Sequence, residues 1–351
     1  MNRAEKIFEK TAKEHRTDAV LLSGDDVRFY ATGFYATDGY VIIEKDRCLL
    51  YVDDRYLEAA RAALGGGSGI EVVRLEPFKK ILKPYKKVAV PLERISYREY
   101  VDLSEEGKEI VDCSSALEQA MAVKDPDELA KIEKAGRITD DAYMKLLPRI
   151  KEGMSENDCA AEVEYLMRLG GASGPSFDTI VCFGEGSSVP HHETSQRRLR
   201  FGDVVLIDFG CKWGGYCSDC TRTFLYGDDG QHAIFKSLYE RVLEAHNLVK
   251  EKVVEGMSGK AADAVARNFL HKYSLDQLFT HSLGHGIGVN IHEMPTLSPR
   301  GKMTLSNGMV FSDEPGVYLE GEFGIRIEDS VVMEEGRLRS LSATDKNLLI
   351  L

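Results

Sequence analysis

Twice in this sequence, acids fall at positions that a β-hairpin would set face to face. In "DVVLIDFGCKWGGYCSDCTRTF", residues 203 to 224, two β-rich arms flank Trp213-Gly214-Gly215, where glycine supplies the positive φ of a tight turn. A turn centred on Trp213 and Gly214 pairs Asp208 with Asp219. In "DEPGVYLEGEFGIRIED", residues 313 to 329, a turn centred on Gly321 pairs Glu314 with Glu328. Directly opposed residues on one sheet face have Cβ atoms roughly 4.5–5.5 Å apart, and like charges there repel. A solvated hairpin face would tolerate each pair, but these acids sit inside apolar runs such as "VVLID" and "GMVFSDEPGVY". Carboxylates facing one another in such surroundings call for a cation.

Histidines reinforce that expectation. "HSLGHGIGVNIHEMP" holds His281, His285 and His292 in a glycine-rich stretch where the backbone can approach a site closely. Upstream, "PHHE" adds His191 and His192 after the β-type run "TIVCF". His292-Glu293 lacks the second histidine of the helical H-E-x-x-H zinc motif. Four carboxylates with one or more imidazoles form an oxygen-dominated donor set that suits two divalent ions, Mn²⁺, Co²⁺ or Zn²⁺. Such a pair of ions can acidify water and polarise a carbonyl, which points to hydrolysis of an amide or ester. The Cys217-x-x-Cys220 pair has neither a second such pair nor a helical redox context. Strand alternation also places its two thiols on opposite faces. The acid between them, Asp219, is therefore the chemical residue of that segment.

Charge and composition exclude several function classes. A net charge of −12 disfavours nucleic acid or an anionic membrane as partner. No window approaches the ~18 uninterrupted apolar residues of a membrane span. The charged start "MNRAEKIFEKTAKEHRTDAV" does not read as a secretory signal, and seven scattered cysteines do not read as a disulfide framework. A reducing cytoplasm is the expected location.

Two domains are expected. Short β-rich runs ("AVLLS", "YVIIE", "RCLLYVD", "KKVAVPLE") with the helical "YLEAARAAL" make residues 1–118 a small α/β domain. Residues 119–351 open with Asp125 as N-cap and Pro126 at the first helical position, and a second helix begins at Ser155 with Asp158 three residues on. Paired helices alternating with acidic hairpins predict an antiparallel sheet with helices on one face, an α+β class, with a weak two-fold repeat.

The ordered segments "DFG…GYCSDCTRTF", "GHGIGVNIHEMP", "DEPGVY" and "GIRIED" resemble the signature segments of the metallopeptidases that include Xaa-Pro aminopeptidase, prolidase and methionine aminopeptidase, which have the pita-bread fold. The likeness covers roughly residues 120 to 351. "RFYATGFYATDGYVIIEKDRCLLYVDDRY" resembles the N-terminal domain of the proline-specific members and of creatinase. The resemblance implies Asp208 on one metal, His285 and Glu314 on the other, and Asp219 and Glu328 bridging, with Mn²⁺ the leading metal. It further implies that His191 and His292 bind substrate and stabilise the oxyanion, and that Arg326 supports the bridging carboxylate. Glu314 would pass the proton to the departing imino nitrogen of proline. Creatinase has the fold without the full ligand set, so all five ligands imply a peptidase rather than an amidinohydrolase or a non-catalytic binding module.

Many prolidases of this kind carry arginine directly after the "HEWP"-like segment, where it can grip the free carboxylate of a dipeptide. Here Thr296 follows Pro295. The expectation is therefore an Xaa-Pro aminopeptidase acting on longer peptides, with Xaa-Pro dipeptidase as the alternative and Arg300 as a possible substitute clamp. Relatives are commonly dimers, so a homodimer is expected.

Overall fold

The computed structural model describes residues 2–351, and the chain divides into two compact units, the first ending at Met121 and the second running from Ala122 to Leu351. In the first unit, a six-stranded sheet runs in the spatial order Ile70–Arg74, Cys48–Val52, Tyr40–Ile43, Ala19–Leu22, Lys87–Val90, Glu109–Asp112. The central pairings are antiparallel, and the outer ones on both sides are parallel. Every residue of Ala19–Leu22 is buried, which is why that strand reads as an unbroken apolar run rather than an alternating one.

The second unit is built from two helix pairs and their hairpins. Pro126–Leu146 packs with Glu156–Leu169, and Ala233–Lys252 with Gly259–His271. The expected caps form reciprocally: the Asp125 side chain accepts the Glu128 N–H at 2.8 Å while the Glu128 carboxylate accepts the Asp125 N–H at 2.9 Å. Ser155 and Asp158 repeat the arrangement. The first pair covers the antiparallel strands Ile180–Phe183, Asp203–Phe209 and Cys220–Tyr226, burying Val205, Ile207 and Phe209. The second pair covers the sheet ordered Glu293–Leu297, Gly284–Gly286, Val310–Asp313, Asp329–Glu334, Arg337–Ser340, burying Phe311 and Val331. Helices on antiparallel sheets make this the α+β arrangement read from the sequence. Among the described residues, no helix is long and apolar enough to cross a membrane.

Of the two acidic hairpins, the first departs from the expected register and the second keeps it. In the first, the turn residues are Gly214 and Gly215, with φ of +57° and +83°, so Trp213 pairs with Tyr216. The hairpin centre therefore lies one residue beyond the expected one, and Asp208 faces Thr221 instead of Asp219. The shift moves each partner by two positions, which preserves side-chain parity and leaves Asp219 diagonal to Asp208. In the second hairpin, Asp313 pairs with Asp329 and Gly316 with Arg326. These flanking pairs share one register, and it sets Glu314 across from Glu328 as expected.

Candidate metal centre

Five potential ligands come from two sheets. Asp208 is the penultimate residue of Asp203–Phe209, and Asp219 sits in the break just before Cys220–Tyr226. His285 lies in the short strand Gly284–Gly286, while Glu314 directly follows Val310–Asp313 and Glu328 directly precedes Asp329–Glu334. The His285 strand is squeezed between neighbours: a Cβ at Gly284 would lie 2.0 Å from the Ser312 carbonyl oxygen, and one at Gly286 would lie 2.2 Å from that of Met294. Only glycine on both sides lets the strand carry His285 into this position.

One ligand atom each from Asp219, His285 and Glu328 lie within 4.8 Å of one another. His285 Nε2 is 3.4 Å from Glu314 Oε1 and 3.6 Å from Asp219 Oδ2. On its other side, Nδ1 is 3.2 Å from the Gly286 carbonyl, which can only accept, so Nδ1 carries the proton. In the neutral ring Nε2 then aims a lone pair at two carboxylate oxygens. Burial, and then His292, push the His285 pKa down to about 4, so the neutral ring is the form present near neutral pH. A cation between these groups resolves that opposition, and neutral imidazole is the form that ligates metal.

The carboxylates carry the same message. Burial, and then the neighbouring Asp208 and Glu314, hold the Asp219 carboxyl well above the usual range. Burial, and then Asp219 and Glu314, do the same to Glu328, while burial lifts Glu314 to about 8. Asp208 Oδ1 is buried with no hydrogen-bond partner among the described residues. Among the described residues, the guanidinium that pairs with one of these four carboxylates is Arg326, on Asp208. The oxygen-rich donors, the unpartnered oxygen and the lone-pair geometry all fit divalent cations.

Arg326 meets the bridging candidate Glu328 through Thr221 and not by a direct bond. Its Nη2 donates to Asp208 Oδ2 at 2.7 Å, its Nη1 to Tyr318 Oη at 2.8 Å, and its Nε to Thr221 Oγ1 at 3.1 Å. Thr221 Oγ1 in turn donates to Glu328 Oε2 at 2.5 Å, so the support reaches Glu328 one residue removed. The hairpin geometry explains this: Arg326 lies two residues before Glu328 on the same strand face, and its long side chain reaches across to the first hairpin. Sequence reading missed Thr221 and Tyr318, which nothing but tertiary contact singles out.

The histidines divide into separate environments. The His292 ring lies 4.2 Å, centroid to centroid, from that of His285, and burial holds its pKa down. His281 is locked: Nδ1–H donates to the Ser282 carbonyl at 2.8 Å, and Nε2 accepts from the Tyr318 hydroxyl at 2.8 Å. His191 is exposed, beside Pro190, whose carbonyl accepts from Arg326 Nη1 at 3.3 Å. His192 points elsewhere, to Glu156. All seven cysteines are free and buried, and burial pushes Cys217 and Cys220 up to about 12. Cys217 Sγ donates to the Val289 carbonyl at 3.4 Å and so braces the glycine-rich stretch; the two thiols are structural.

Comparison with known proteins identifies related chains. Residues 130–335 match the description of metallopeptidase family M24, and residues 4–121 match the creatinase/prolidase N-terminal domain. The chain is 35% identical to an Xaa-Pro dipeptidase of Pyrococcus furiosus over 99% of both chains. Among solved structures, an Xaa-Pro dipeptidase from Bacillus anthracis superposes with a TM-score of 0.93 at 33% identity, covering 100% of each chain. An X-Pro aminopeptidase from Thermotoga maritima superposes with a TM-score of 0.88 at 33% identity, covering 97% of this chain and 100% of that one.

Proposed function

We propose, on the premise that the chain belongs to metallopeptidase family M24, that it hydrolyses the bond before proline and that Xaa-Pro dipeptides are its preferred substrates. The observation that carries the metallopeptidase reading is the His285 lone pair directed at Asp219 and Glu314. Two divalent ions, Mn²⁺ first among them, would be held by Asp208, Asp219, His285, Glu314 and Glu328. When bound, such ions acidify a water and polarise the scissile carbonyl. Glu314 takes the proton released in the attack and gives it to the departing imino nitrogen. His292 and His191 donate to the oxyanion. Arg326 orients Asp208, burial keeps His281 neutral, and the Tyr318 hydroxyl fixes its ring. A homodimer is part of the same reading.

Dipeptide preference departs from the expectation drawn from Thr296. A cleft of about 620 Å³ runs from His281, Met294 and Thr296 to Arg300 and Lys302, with Arg267 in its wall. Arg267 is fully engaged by Asp263 and by the Phe279 and His281 carbonyls. Arg300 and Lys302 are exposed, and neither head group forms an ion pair with another described residue. They therefore offer positive charge to a free carboxylate next to the site, which supports the dipeptidase that several relatives are named for.

Arg300→Ala and Lys302→Ala test this. A charge-assisted bond at an exposed site is worth about 1.4 kcal/mol, so each substitution should raise KM for an Xaa-Pro dipeptide about tenfold with kcat nearly unchanged. Xaa-Pro-amide, which lacks the charge, should be insensitive to both. Preference of the wild type for a tripeptide, with neither substitution affecting dipeptide KM, would return the assignment to an aminopeptidase.

A further inference from the structure

We propose that Glu156 and His192 are positioning residues that hold His191 toward the metal centre; the proposal rests on the peptidase reading above, in which His191 faces substrate. Glu156 is the first residue of the helix Glu156–Leu169 and is fully buried. A buried carboxylate is costly unless donors surround it. Here Oε1 accepts the Phe183 N–H at 2.8 Å, and Oε2 accepts His192 Nε2–H at 2.9 Å, the Ser195 N–H at 2.9 Å and Ser195 Oγ–H at 2.6 Å. These donors belong to the two ends of the segment 183–195, so one carboxylate ties that loop closed.

The other fastening comes from the site. The Pro190 carbonyl accepts from Arg326 Nη1 at 3.3 Å, and the same guanidinium holds Asp208 and Tyr318. His191 thus lies between two anchored neighbours, Pro190 fixed to the centre and His192 fixed to the helix. Its own ring is exposed. A side chain on a loop is placed as accurately as its backbone is fastened, and a misplacement of about 1 Å can cost about 10²-fold in rate. His192 is not a metal ligand in this arrangement, because its Nε2 is committed to Glu156.

The test is a double-mutant cycle on the metal-loaded enzyme. His192 is half-buried, and His192→Leu should fold while lowering kcat/KM for an Xaa-Pro dipeptide about 10- to 100-fold. Equilibrium Mn²⁺ affinity should stay within about twofold of wild type. His192→Gln, whose amide N–H can reach Glu156, should recover most of the loss. In a His191→Ala background the His192→Leu effect should vanish, because it acts only through His191. Ser195→Ala removes another donor to the same oxygen and is held to the same cycle, which keeps the proposal testable should His192→Leu fail to fold. Losses that multiply in the His191→Ala background, or wild-type kcat/KM in His192→Leu, would overturn the positioning role. A wild-type rate in His191→Ala itself would instead remove His191 from the peptidase reading.

Discussion

Asp219→Asn should lower kcat/KM on an Xaa-Pro substrate about 10³-fold or more while raising the melting temperature of the metal-free protein. Asparagine keeps the shape of the side chain and removes its charge, so the two effects have separate origins. A metal site supplies several kcal/mol of transition-state stabilisation, and each 1.36 kcal/mol is a factor of ten. Without metal, Asp219 is buried among acids: burial, Asp208 and Glu314 all disfavour its ionised form, against which Arg326 and the Cys220 N–H act. Removing that charge relieves the repulsion. Steady-state rates with Mn²⁺ and thermal melts with and without it measure both halves. Near-wild-type activity, or a lower metal-free melting temperature, would contradict the reading of Asp219 as an acid kept for a cation at a cost in stability.

His246→Leu should destabilise the fold by about 3–5 kcal/mol, because it leaves buried charge without its partner. Asp313 and Asp329 face each other directly across the ladder, one residue from Glu314 and Glu328, on the face turned toward the helix Ala233–Lys252. Both acid side chains, like that of His246, are fully buried. Asp329 is held by Arg222 Nη2 at 2.8 Å and Lys346 Nζ at 2.9 Å. The Asp313 carboxylate has no hydrogen bond among the described residues, and its counter-charge is His246 Nδ1 at 3.1 Å. Burial alone would push the His246 pKa down; Asp313 and then Asp329 carry it up to about 9.

That shift gives the prediction a pH signature. The folded-state pKa lies above the unfolded value of about 6.5, so the contribution, about 3 kcal/mol, is complete below pH ~6.5 and is lost as pH rises through ~9. Urea unfolding of wild type and His246→Leu should therefore give a gap that is wide at pH 6 and narrows toward pH 9. Adding Asp313→Asn should close much of it. A gap independent of pH, or unaffected by Asp313→Asn, would show that His246 acts by packing alone.

The site's acids were legible because strand alternation is a short-range rule and because carboxylates inside apolar runs are conspicuous. The register was legible where one glycine, Gly321, marks the turn. It slipped where Trp213, Gly214 and Gly215 compete, and the slip was harmless to the site because parity survived it. What the sequence did not reveal depends on tertiary approach. The Arg326 guanidinium joins two hairpins more than a hundred residues apart in the chain, ending on Asp208 rather than beside Glu328. His246 in a helix and Glu156 at a helix start look like an ordinary core histidine and an ordinary first-turn acid. Thr296 pointed away from a carboxylate clamp directly after Pro295, with Arg300 read from the sequence as its substitute. A turn closed by the Gly301 N–H on the Ser298 carbonyl at 2.9 Å brings Arg300 and Lys302 back along the same cleft.

The central claim, that these residues hold divalent cations for cleavage before proline, is tested most directly by the initial rate on an Xaa-Pro dipeptide in Mn²⁺, after exhaustive chelation, and after Mn²⁺ is restored. The rate should fall to background on chelation and return with the metal. A rate that survives chelation unchanged would contradict the account.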